Sequence, residues 1–138
     1  MARNLKHQYL DLTTNIFKLS SGRDRTKVML SAQQMGTGLI IYLYNENAHI
    51  GALALGEYDP GSKRTSTSVI TRLGHKEDII AQKAAYEISK FTKKPVCVIA
   101  GIHVDEIRER EIKETMENAS GLVDKLICSR FLSTLRMR

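Results

Sequence analysis

The chain has 138 residues, 42% of them hydrophobic and 26% charged, which excludes a disordered polypeptide and fits one domain, residues 1–138, with its own core. A formal net charge of +6 favours anionic partners, yet the basic residues are scattered, Trp is absent and aromatic and basic residues do not interleave, which argues against nucleic acid. No secretory leader and no run of about 18 apolar residues occurs, so a soluble, cytoplasmic protein with no membrane partner is expected.

Residues 8 to 19 alternate loosely, with Leu10, Leu12 and Ile16 on one face, and read as a first strand closed by the turn at residues 20–24. Thr26–Gln34 places Val28, Leu30 and Ala32 opposite Lys27, Ser31 and Gln33, the pattern of a half-buried antiparallel strand. Gly36-Thr37-Gly38 links it tightly to Leu39–Tyr44, an unbroken β-branched and aromatic run suited to a central strand covered on both faces. These three elements read as a meander. His49–Glu57 is a fourth strand, on which Ile50, Ala52, Ala54 and Gly56 form a face of small volume. Such a face lets a helix, a second subunit or a flat ligand ring approach the backbone closely.

Thr65–Thr71 alternates as a hydroxyl-rich fifth strand, with Thr65, Thr67, Val69 and Thr71 on one face and Ser66, Ser68 and Ile70 on the other. It runs through Gly74-His75-Lys76 into a helix expected from about Lys76 to Thr92, whose apolar face is Ile79, Ile80, Ala84, Ile88 and Phe91. Glu77, Gln82, Lys83 and Glu87 are expected in water. Lys93-Lys94-Pro95 stops the helix, and the apolar Val96–Ala100 rejoins the sheet through a crossover. A last helix starts near Glu106, with a 4-3-4-3 seam of Ile112, Met116, Ala119, Val123 and Leu126, and Gly121 marks a candidate kink. Cys97 and Cys128, both in apolar contexts, read as buried reduced thiols. The order βββββαβα gives an α+β fold: a mainly antiparallel sheet of about six strands, with two helices on one face.

The usual nucleotide, zinc-protease and nucleophile-elbow signatures are absent, which lowers the case for a self-contained enzyme. The polar strand entering Gly74-His75-Lys76 at a helix start is a candidate anion site. First-turn amides are unpaired there, the dipole favours negative charge, Ser68 and Thr71 add hydroxyls and Lys76 adds a point charge. His49, His75 and His103 each lie within two residues of a glycine at the end of an element, so the three can converge. Converged, they would bind a divalent metal, surround a phosphate or donate to a heterocycle; left apart, each would satisfy local backbone.

Three segments together carry a resemblance: His49-Ile50-Gly51-Ala52; Thr67-Ser68-Val69-Ile70-Thr71 with Leu73-Gly74-His75-Lys76-Glu77-Asp78; and Ala100-Gly101-Ile102-His103-Val104-Asp105. In this order and spacing they resemble the prenylated-flavin chaperone (LpdD-like) family, accessory proteins of UbiD-type decarboxylases, over about residues 49 to 126. The resemblance implies a fold similar to proteasome-assembly chaperones and a non-catalytic homodimer that binds prenylated FMN, or FMN, and supplies it to a decarboxylase. It implies His49, Gly51, Thr67, Ser68, Thr71, Gly74, His75, Lys76 and His103 as the cofactor-binding set, with Ser68, His75 and Lys76 on the phosphate. Two other readings compete with it. A cofactor-free assembly chaperone or interaction module predicts a colourless protein, and a metal-dependent hydrolase using the three histidines predicts stoichiometric metal.

Overall fold

The computed structural model describes residues 16–73 and 77–137. Six strands form one sheet: β1 (Ile16–Ser21), β2 (Val28–Met35), β3 (Gly38–Tyr44), β4 (Ala52–Asp59), β5 (Arg64–Thr71) and β6 (Val96–Gly101). Their spatial order is β1-β2-β3-β6-β4-β5, and every neighbouring pair is antiparallel except β3–β6. The described residues also form three α-helices: α1 (Asp78–Thr92), between β5 and β6, then α2 (Glu109–Ile127) and α3 (Arg130–Arg136). The fold is α+β, as the pattern predicts, with one short helix more.

Local chemistry sets the connections. Gly36 sits in the left-handed region at φ +56°, which lets a two-residue turn join Met35 to Gly38. The Asp59 carboxylate accepts from the Ser62 hydroxyl and from the Gly61 and Ser62 amides, closing the β4–β5 hairpin. These bonds, the Ser62 hydroxyl foremost, hold that carboxyl below the usual range. α1 ends on Lys93 in the left-handed region, its amide donating to the Ser89 carbonyl, and Pro95 follows. The chain then returns as β6 between β3 and β4, the predicted crossover.

One face of the sheet is covered. Val28, Leu30 and Ala32 of β2, Leu39, Ile41 and Leu43 of β3, and Val96, Val98 and Ala100 of β6 are buried there. β3 is therefore central but not covered on both faces as its apolar run predicts: Ile40, Tyr42 and Tyr44 on its other side are only half-buried. α1 lies on β4, β5 and β6, α2 on β1 and β2, and α3 closes the end with Leu132 and Leu135, while Phe131 stacks on Phe17 at 5.3 Å. The small-residue face of β4 is filled by α1: Ala52, Ala54 and Gly56 are buried, and a Cβ on Gly56 would strike the Ala85 carbonyl. That space belongs to a helix, so a flat ring finds no room on it.

Several sequence expectations need correction. α2 runs unbroken through Gly121, where no atom crowds the backbone, and the chain breaks at Cys128-Ser129, where the Ser129 hydroxyl caps α3 by accepting from the Leu132 amide. Ala119, Val123 and Leu126 of the seam are buried on the sheet, whereas Ile112 is 47% exposed. Ile79 is exposed and Glu77 buried, the reverse of the helical-face reading, and neither cysteine is buried, Cys97 being half-buried and Cys128 exposed. Leu10 and Leu12 lie outside the described residues. Among the described residues no helix is long and apolar enough to cross a membrane.

Candidate functional site

The strand order itself brings the histidines together. Because β6 inserts between β3 and β4, the link from Asn45 to Gly51 must cross the carboxyl end of β6. The crossing is close: a Cβ on Gly101 would run into the His49 carbonyl, and the Gly51 amide donates to the Ala100 carbonyl at 2.9 Å. His49 rides on this link and His103 on the continuation of β6, so their rings meet edge to face with centroids 5.1 Å apart. Asn45 fixes the geometry. Its amide donates to the His103 carbonyl at 2.7 Å, and its side-chain oxygen accepts from the His103 amide at 3.1 Å. The other end of the His103 ring, Nε2, lies 2.8 Å from Asp105 Oδ1.

Two cavities meet at this end of the sheet, and His49 lines both. One, of about 460 Å³, lies on the uncovered sheet face beside Tyr42, Tyr44 and Ile99. The other, of about 430 Å³, lies on the helix side, between the start of α1, the first half of α2 and the loop after β6. Its wall is aliphatic, with Ile80, Ile102, Val104, Ile107, Ile112 and Met116. His49, His103, Glu77 and Thr115 are its polar groups. Thr115 is only 5% exposed, and among the described residues its hydroxyl has no hydrogen-bond partner. A buried hydroxyl left unpaired costs about 1–3 kcal/mol, so this position favours a ligand or water that supplies the missing bond.

The loop that carries His103 is tied from outside. Arg25 donates through Nη2 to the Asp105 carbonyl at 2.6 Å and through Nε to Glu111 Oε2 at 2.7 Å, and Glu111 also accepts from the Arg108 amide. The Arg25 bond, helped by that amide, holds the Glu111 carboxyl below the usual glutamate range. A lowered folded-state value makes this group stabilising above the ordinary glutamate pKa, about 4.3. The contribution is lost as pH falls from there through the lowered value. Urea midpoints measured between about pH 6 and pH 3 are therefore expected to fall less steeply for Glu111→Gln than for the parent protein.

The predicted site residues do not all gather. His49, Gly51 and His103 do, with Gly51 packed so closely on the buried Glu77 that a Cβ there would strike its carboxylate. Thr67 faces α1, where its hydroxyl accepts from Gln82 at 3.2 Å, and Ser68 is exposed on the opposite face. Thr71 pairs with Ala52 at the near end of β5, on the face away from Ser68. Gly74, His75 and Lys76 lie outside the described residues. Among the described residues no three His, Cys, Asp or Glu side chains are grouped as metal ligands. The structure adds Arg72, which donates to the Ile50 carbonyl at 2.8 Å beside the crossing link, together with Asn45, Glu77 and Thr115.

A family model described as the prenylated flavin chaperone LpdD-like domain matches residues 22–130. No curated protein matches the chain at a significant level. Among solved structures, a chain in the crystal structure of a novel chaperone complex for yeast 20S proteasome assembly has the same fold. Its TM-score is 0.54 at 12% identity, covering 88% of this chain and 98% of that one.

Proposed function

We propose a cofactor-holding role, on the premise that the chain belongs to the prenylated flavin chaperone LpdD-like family. The protein binds prenylated FMN at the His49–His103 end of the sheet and supplies it to a UbiD-type decarboxylase, without itself catalysing a reaction. The observation that carries this reading is the convergence of His49 and His103 at the mouth of an aliphatic cavity that contains the buried Thr115 hydroxyl. The residues present fit such a group. A cavity of about 430 Å³ lies within the range of small-molecule sites and is mostly apolar, with His49, His103, Glu77 and Thr115 as its polar groups. The two imidazoles donate to or accept from a polar ring edge; Arg72 and Lys76, the latter just before Glu77 in the chain, supply cationic groups for the phosphate, and His75 a hydrogen-bonding ring. Ser68, which faces the other side of the sheet, drops out of the phosphate set. The prenylated flavin supplies decarboxylation chemistry once it is in the enzyme; this chain's residues bind, orient and shield it.

The uncovered sheet face supports a homodimer. Pairing across the strands aligns Lys18, Ser31, Tyr42, Ile99, Leu53 and Ile70 in one row, apolar from Tyr42 onward. Ile70 is 70% and Leu55 42% exposed, whereas the outward face of an antiparallel sheet in water is ordinarily polar. A second copy is the occupant proposed for this face.

Titration of reduced prenylated FMN into the protein, followed by flavin absorbance and fluorescence, tests the reading. His49→Ala and Lys76→Ala are each expected to weaken binding at least tenfold, and the loaded parent protein is expected to activate an apo decarboxylase. Unchanged affinity in both variants would sink the site. No binding by the parent protein would favour a cofactor-free interaction module instead.

A further inference from the structure

We infer that the helix-side cavity is the selectivity element of this site: it takes the aliphatic, prenyl-derived part of the cofactor and so separates prenylated FMN from FMN. The inference rests on the reading that the site holds a flavin, and goes beyond it by assigning what the cavity recognises. The six apolar side chains of its wall are five branched aliphatics and one thioether, and the rings beside them are the imidazoles of His49 and His103. An unmodified isoalloxazine is edged with carbonyls and ring nitrogens; His49 and His103 can meet part of that edge, but any of it pressed against Ile80, Ile102, Val104 and Met116 is left without partners. A saturated five-carbon unit needs no hydrogen bonds, and it fits surfaces of this kind by area alone.

The apolar lining is also incompletely covered. Ile107 is 37% and Ile112 47% exposed at the mouth, so a ligand that closes over them removes apolar surface from water. The loop carrying Ile107 and His103 is held from behind by Asn45 and Arg25, so the wall is formed before a ligand arrives. Thr115, buried and unpartnered among the described residues, sits on α2 between Ile112 and Met116. It offers one hydroxyl to the few polar atoms that enter. At about 0.8 kcal/mol for each buried CH₂, partial burial of five carbons corresponds to roughly 100-fold tighter binding of prenylated FMN than of FMN.

The experiment measures dissociation constants for FMN and for reduced prenylated FMN on the parent protein, Met116→Phe and Ile107→Ala, with thermal melts to establish folding. The parent is expected to prefer the prenylated form by about two orders of magnitude. Met116→Phe, which narrows the cavity, is expected to weaken prenylated FMN at least tenfold and leave FMN within about twofold. Ile107→Ala removes lining from an exposed loop and keeps the test decisive if Met116→Phe does not fold; a loss of about threefold to fivefold, for the prenylated form alone, is expected. Equal affinity for the two flavins, or equal losses for both in the variants, overturns the inference and leaves the cofactor-holding role standing. Binding of neither flavin overturns the role and the inference together.

Discussion

Valine at Gly56 is expected to destabilise the protein by about 3 kcal/mol, a fall of roughly 12 °C in Tm for a domain of this size. The cause is the approach of α1 to β4. Even a Cβ at Gly56 would strike the Ala85 carbonyl oxygen and come within 2.9 Å of its carbon and 3.0 Å of Ser89 Cβ. The first obstacle is helix backbone, which cannot rotate away, and Ser89 is itself fixed by its hydroxyl bond to the Lys94 carbonyl at 2.7 Å. Ala81, Ala84, Ala85 and Ile88 of α1 are all buried against the sheet, so a shift at Gly56 lifts the whole helix off its seat. Gly121→Ala is the control. Among the described residues nothing beyond the neighbouring turns of its own helix lies within 4 Å of a Cβ there, and alanine in a helix interior is favoured over glycine by about 1 kcal/mol, so Tm should rise by a few degrees. Differential scanning of both variants checks the pair; a Gly56→Val melt within about 2 °C of the parent would show that α1 is not seated this tightly.

The contrast between these glycines shows what can and cannot be read from the chain. Periodicity locates β2 well, because Val28-Leu30-Ala32 takes its period from one buried face; Val96–Ala100 is legible only as a short apolar run, since Cys97 and Ile99 on the uncovered side are apolar too. The small face of β4 is visible as composition, but whether a helix, a ring or a subunit fills it depends on the crossover, which no local pattern specifies. The meeting of His49 and His103 is likewise foreshadowed by their places at element ends. Its cause, the link from Asn45 to Gly51 crossing the end of β6, follows from the spatial order β3-β6-β4. Glu77 is misread for a related reason: at the first turn of a helix its exposure is set by what crosses above it, here Gly51, and not by the helical face. Thr115 leaves a signal that local reading passes over. It stands one residue before Met116 and four before Ala119, a polar side chain within an apolar stripe, and the structure places it in the cavity.

Ile99→Asp is expected to convert the proposed homodimer into a monomer at micromolar concentration, with little loss of Tm. Ile99 lies in the middle of the cross-strand row, between Tyr42 on β3 and Leu53 on β4, and its side chain points away from the helices. The neighbouring row of Ile40, Cys97 and Leu55 widens the apolar patch across the same three strands. Six strands about 4.8 Å apart and about six residues long give a face of roughly 600 Å² in projection, near the lower end of what each partner contributes to a stable interface. A carboxylate placed at its centre would be desolvated by the second copy without a cation to meet it, a cost of several kcal/mol that raises the dimer constant by a factor of about a thousand or more. In the separated subunit the same carboxylate faces water, and so the fold survives. Sedimentation velocity of parent and variant, with circular dichroism to show that both are folded, gives the answer. A parent protein that stays monomeric at 100-fold higher concentration, or a variant that stays dimeric, would mean that this face has another partner. Ile99→Asp is also expected to leave flavin affinity within about threefold, because the helix-side cavity lies on the far face of the sheet.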